Sequence, residues 1–149
     1  MVKGIGNELI YSIFSHHINH FLNVKKMVKH DYESHMILST VYTNFLYQTI
    51  NLGKSLSWTE VFDDKETEDH KKLMKDNKLT IFAVAEHLSM PQETVRRKLE
   101  KLIKKKLLEY SKSEGLSLGK KFNETIEPLG KIDTEDCLKL YRKFATQHK

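Results

Sequence analysis

The stretch Thr80 to Lys106, TIFAVAEHLSMPQETVRRKLEKLIKKK, constrains the fold more than any other part of the chain, because its spacing fits two short helices joined by a sharp turn. At about 100° per residue, Val95, Leu99 and Leu102 fall on one narrow stripe with Ile103 at its edge, the pattern of a helix that buries one face. Thr80 is placed to cap the earlier helix, Ile81 to Leu88, where Val84, Ala85 and Leu88 recur at the spacing of a packed face. Ala85 is small enough to let two helices cross steeply. Ser89 stops the first helix. Pro91 disfavours helical geometry at Met90 and fixes a φ suited to starting the second. The cap of the second helix falls either to Met90 or to a Ser89-x-x-Gln92 capping box.

The second helix also carries the charge. Pro91 to Lys106 holds seven Lys and Arg against two Glu, and its net +5 equals the +5 of the whole chain, so the remainder is neutral. A basic patch confined to one place is an electrostatic footprint for a polyanion. Opposite the apolar stripe lie Glu93, Arg97 and Lys104, flanked by Arg96, Glu100 and Lys101. Arg97 can present two donors to guanine O6 and N7, Gln92 can pair with adenine N6 and N7, and Glu93 can accept from cytosine N4. Lysines along the same face suit phosphates and make binding salt-dependent. Beyond this helix, Leu107-Leu108-Glu109-Tyr110 and Leu116-Ser117-Leu118 can pair as a hairpin around a turn at Lys112 to Gly115.

The segment AVAEHLSMPQETVRRKLEKLIKKKLLE resembles the helix-turn-helix of bacterial winged-helix regulators. Its Glu-Thr-Val-Arg-Arg is similar to the recognition helix of the Crp/Fnr superfamily. The layout, with helices before the motif and one after the wing, is closer to a MarR-type regulator. It also resembles little-characterised bacterial proteins in which a long N-terminal helical region precedes such a motif. The likeness covers residues 78 to 122, and departs from the family in Ser89, where Gly is usual, and Pro91, where Ser or Thr is usual.

The resemblance implies a cytoplasmic, sequence-specific transcriptional regulator of double-stranded DNA, with recognition helix 91–106 in the major groove and wing 107–121 on the backbone or minor groove. By position in the motif, Gln92, Glu93 and Arg97 read bases and Thr94 touches phosphate. Arg96 joins the base readers from the same face, while Lys98, Lys101 and Lys104 hold phosphates, as do Lys112, Lys120 and Lys121 on or beside the wing. The alternative is a winged-helix interaction module that binds an acidic protein partner instead of DNA.

The rest of the chain fits around this unit. With 149 residues, 39% hydrophobic and 30% charged, it suits one domain or a small domain with a helical extension. The expected fold is mainly α with a small β-hairpin wing. Residues 1–53 form an N-terminal helical dimerisation region, 54–78 a charged connector, 79–123 the winged helix-turn-helix and 124–149 a C-terminal helix returning to the N-terminal region.

Residues 5 to 29 read as one helix whose apolar side chains, among them Ile10, Phe14, Ile18 and Phe21, spread over more than one stripe; a second copy of the chain is the economical partner. A second helix, Tyr32 to Asn51, carries Met36, Ile37, Val41, Phe45, Leu46 and Ile50, and Gly53 ends it. In the connector Trp58, Val61 and Phe62 are apolar anchors, and Asp63 to Asn77 reads as a loop with a helical turn or two. Pro128 and Gly130 break the chain, after which Asp133 caps a last helix that buries Cys137, Leu140, Tyr141 and Phe144.

Other chemistries find little support. One cysteine excludes an internal disulfide, and no apolar run reaches the roughly 18 residues of a membrane span. Nothing at the N-terminus is built like a signal peptide. His16, His17 and His20 have a helical spacing that metals use, but no further ligand completes a site, so no metal or other cofactor is expected. No phosphate loop, nucleophile elbow or carboxylate pair stands out, so an enzyme is not expected either. A small-molecule effector is compatible with the class, though no residue pattern supports one.

Overall fold

The computed structural model describes residues 6–147, apart from the side chains of Trp58, Thr59, Phe62 and Gln147. The chain is mainly helical, with one two-stranded antiparallel sheet. In order come α1 (Asn7–Asn23), a π-helical turn (Val24–Val28), α2 (Tyr32–Asn51), α3 (Trp58–Asp64), α4 (Glu68–Asp76), α5 (Ile81–Leu88), α6 (Gln92–Lys104), β1 (Leu108–Ser111), β2 (Gly115–Leu118) and α7 (Phe122–Gln147). It divides into two compact units, residues 33–124 and the described residues before and after them. No described helix is long and apolar enough to cross a membrane.

The 33–124 unit is built on the apolar stripes of α5 and α6. Val84, Ala85, Val95, Leu99 and Leu102 are buried, as are Leu107, Leu108, Leu116 and Leu118 of the hairpin and its approach. The hairpin pairs Leu108 with Leu118 and Tyr110 with Leu116. Leu79 adds a parallel bridge to Gly115, and the Leu116 N–H donates to the Leu79 carbonyl at 3.0 Å. Gly115, at φ +74°, has no room for a side chain, since a Cβ would stand 2.6 Å from the Leu79 oxygen.

The helix α2 belongs to this unit from Glu33 onward, which regroups the expected 1–53 region. The physical reason is its burial pattern. Ile37, Leu38, Val41 and Phe45 are buried, the tilted rings of Tyr42 and Phe122 lie 4.9 Å apart and those of Phe45 and His70 4.3 Å apart, whereas Met36 and Ile50, expected in the stripe, are exposed.

The expected charged connector is two helices. Ser57 and Glu60 close a capping box on α3, with the Ser57 N–H donating to Glu60 Oε2 at 2.8 Å, a contact that holds the Glu60 carboxyl below its usual pKa. Thr67 caps α4 by accepting from the His70 N–H. Of the expected anchors, Val61 is buried; the side chains of Trp58 and Phe62 lie outside the described residues. One carboxylate is drawn inward: Lys54 Nζ meets Asp64 Oδ1 at 2.5 Å, and His70 Nδ1 lies 3.5 Å from Asp64 Oδ2, with Asp64 and His70 both buried.

Burial holds the His70 imidazole below the usual histidine pKa; the Asp64 carboxylate and, more weakly, Glu114 oppose this, while Lys54 adds to it. Below the ordinary value of about 6.5 the unfolded chain takes up a proton that folded His70 refuses. The stability supplied by neutral His70 is therefore complete above that pH and is lost as pH falls toward the depressed folded value. Urea unfolding at pH 7.5 and 5.5 is expected to show a loss of stability on acidification that is smaller in His70→Phe; an equal loss in both proteins contradicts this.

The other unit pairs α1 with the larger part of α7. His20 Nδ1 meets Asp133 Oδ2 at 2.9 Å, Cys137 Sγ lies 3.7 Å from His16 Nε2, and Lys143 Nζ donates to Ser12 at 3.1 Å. Contacts that climb α1 as they descend α7 make the pair antiparallel. Among the described residues no group of three or more His, Cys, Asp or Glu could hold a metal ion.

Three expectations for this unit are corrected. The first helix leaves α geometry at Val24, passes through a π-turn and ends with Lys29 in the left-handed region. Pro128 does not interrupt the chain, and Asp133 sits inside α7 instead of starting a helix. An internal proline costs about 3 kcal/mol, but Phe122, Ile126 and Leu129 are buried on both sides of it, each worth about 1.5–3 kcal/mol. The residues expected in the core farther along do not reach it. Cys137, Tyr141 and Phe144 are exposed and Leu140 is half-buried.

Candidate nucleic-acid interface

The side chain of Thr80 accepts from the Ala83 N–H at 3.1 Å, and α5 begins where the sequence places it. It ends at Ser89, whose φ of 51° and ψ of 42° put a residue with a Cβ in the left-handed region. The Met90 N–H closes the corner on the Ala85 carbonyl at 2.9 Å. The N-cap of α6 is Pro91, with no side-chain hydrogen bond, so neither Met90 nor a Ser89–Gln92 box supplies it. Left-handed geometry costs about 1–2 kcal/mol for a residue other than glycine, part of which glycine gives back as chain entropy. Ser89→Gly is expected to stabilise the protein by about 0.5–1 kcal/mol in urea unfolding; a destabilised variant contradicts the strain.

The side of α6 opposite its buried stripe faces outward. Glu93, Arg96, Arg97, Lys101 and Lys104 are exposed there, Gln92 is exposed at the helix start nearer the buried stripe, and Thr94 is half-buried. The six are not equivalent. Arg96 is clasped by both neighbouring carboxylates, its Nε donating to Glu93 Oε2 at 2.9 Å, its Nη2 to Glu93 Oε1 at 2.6 Å and its Nη1 to Glu100. The Glu93 hydrogen bond and then the Glu100 charge raise the Arg96 pKa, and Arg96 lowers that of Glu93. Among the described residues Arg97 has only a distant carboxylate, Glu93 at 3.9 Å, and its side chain is 66% exposed.

Lys98 is turned toward α2, where it meets Glu33 at 3.1 Å. This contact edges an open cleft also lined by Thr94, Arg97, Lys101 and Lys104. Lys101 and Lys104 have no carboxylate partner among the described residues. Lys112 is exposed at the hairpin turn, and Lys120 and Lys121 are exposed just after β2. At the hairpin's base, Lys65 Nζ donates to the Leu118 carbonyl at 2.7 Å and lies 3.3 Å from Glu109.

The pairings of Glu100 with Arg96 and of Glu33 with Lys98 are what a reading of the sequence missed. The first was legible, since Glu93, Arg96 and Glu100 stand three and four apart, the spacing at which helix side chains meet. The second was not, because Glu33 and Lys98 are brought together only by packing. No protein-family model, no curated protein and no solved structure matches this chain.

Proposed function

We propose that residues 79–123 form a winged helix-turn-helix, that α6 enters the major groove of double-stranded DNA, and that the chain is a sequence-specific transcriptional regulator. One observation carries this reading. The helix α6 has its apolar side sealed in the core while Arg97, Lys101 and Lys104 stand open on the other side of the same rod. A major groove about 12 Å wide accepts such a rod. The sharp corner at Ser89 and the hairpin with Lys112 at its turn support the same reading, in which the hairpin lies along the backbone or minor groove.

A homodimer is part of the proposal. Ile10, Phe14 and Ile18, four residues apart on α1, are 46%, 63% and 59% exposed, an apolar stripe that a second copy would cover. A dimer would set two α6 helices in successive major grooves, about 34 Å apart. Selection of bound sequences from random duplexes tests both parts. A single two-fold symmetric consensus is expected; a consensus without symmetry removes the dimer, and no enrichment removes the DNA reading. A second reading, docking on an acidic protein, draws on the same open cations, since Arg97, Lys101 and Lys104 would pair with carboxylates as well as with phosphates. Salt-sensitive binding to an acidic peptide with no binding to duplexes would select it.

A further inference from the structure

Between α2 and α5 lies an open groove of about 530 Å³, within the roughly 300–1,000 Å³ of small-molecule sites. Thr43, Asn44 and Tyr47 stand on one wall and Ala83, His87 and Leu88 on the other, all within the 33–124 unit. None of the ten lining residues is Asp, Glu, Lys or Arg, in a chain that is 30% charged. Four other clefts on the described surface each carry at least one such residue.

We infer that this groove binds an uncharged, largely apolar small molecule, of the size of two fused rings, that carries an oxygen able to accept a hydrogen bond. The absence of ionised walls selects against an ionic ligand, which would give up its hydration there and gain no counter-charge. The oxygen is called for by Asn44, whose side-chain nitrogen is buried and donates to nothing among the described residues. A buried donor left unmade is costly, so an acceptor that a turn of the Asn44 amide brings within its reach adds affinity as well as orientation. The Thr40 hydroxyl is spent on the Met36 carbonyl at 2.9 Å, which leaves Ser39, Thr43 and Tyr47 as the further polar contacts from α2.

The site stands on its own geometry and does not depend on the DNA reading. Its test is a titration of the isotope-labelled full chain, at pH 7.5, with 2-naphthol and with 2-naphthoate, which keeps the rings but adds a charge. Expected are saturable amide shifts at Thr43, Asn44, Ala83 and His87 with 2-naphthol and at least tenfold weaker binding of 2-naphthoate. Ala83→Trp, which fills the groove, is expected to weaken 2-naphthol at least tenfold. If that variant loses its folded spectrum, Asn44→Leu takes its place, with an expected loss of about fivefold. Absence of saturable shifts at these residues, equal affinity for the two probes, or a folded variant that binds as wild type overturns the inference. Duplex affinity measured on the same samples reports separately on the DNA reading.

Discussion

Replacing Gly119 by alanine is expected to destabilise the protein by about 3 kcal/mol, since overpacking costs about 1–3 kcal/mol and this clash is with backbone that cannot swing aside. An added Cβ would overlap the Lys106 carbonyl oxygen and stand 2.7 Å from its carbon and 2.9 Å from that of Leu107. The same place is where the chain leaving α6 and the chain leaving β2 are tied together. The Gly119 N–H donates to the Leu107 carbonyl and the Lys121 N–H to the Lys106 carbonyl, both at 2.9 Å. Opening that tie loosens the base of the hairpin and exposes Leu107, Leu118 and Phe122, which are now buried. Thermal unfolding should fall by about 10 °C, whereas Gly6→Ala, where an added carbon meets nothing within 4 Å, should cost only the small penalty of alanine at the N-cap of α1. A Gly119→Ala protein as stable as wild type would show that this close approach does not hold the hairpin to α6.

The second large effect separates two neighbouring arginines. Arg97→Ala is expected to cost about 1–3 kcal/mol of specific duplex binding and to relax the preference at one base position. Arg96→Ala is expected to weaken all duplexes evenly and leave the preferred sequence unaltered. Its guanidinium is already held by Glu93 and Glu100, so what is lost is one positive charge against two carboxylates. Binding-site selection with each variant reads this directly. Loss of one base preference in Arg96→Ala, with Arg97→Ala affecting all sequences alike, would exchange the two roles.

How much of this was legible in the sequence depended on the range of the forces involved. Thr80, the corner at Ser89 and Pro91, the stripe Val95, Leu99 and Leu102, and the hairpin were all readable, because caps, turns and periodicity act over a few residues. The helix α3 was missed and α4 was read as a turn or two within a loop, because their charge density resembles a solvated segment, although Ser57-x-x-Glu60 is a helix-start pattern. Nothing local announces that Lys54 and Asp64 will be drawn together beside a buried His70. Pro128 misled in the opposite way, since a local helix breaker was overridden by burial on either side of it. At the candidate interface the sequence identified the face, but the commitment of Arg96 to two carboxylates and of Lys98 to Glu33 reduces the cations open to a ligand. Charge counted along a chain overstates the charge a partner meets.

The most direct measurement of the central claim is the duplex affinity of the full chain as a function of salt between about 50 and 200 mM, the range over which phosphate contacts are most visible. If Lys101, Lys104, Lys112, Lys120 and Lys121 each neutralise one phosphate, log K should fall against log salt with a slope of about −4 to −5 per subunit, and charge reversal at Lys101 and Lys104 should reduce that slope by about 2. A slope near zero, or a slope that the two reversals leave intact, would contradict the assignment of this face of α6 to DNA.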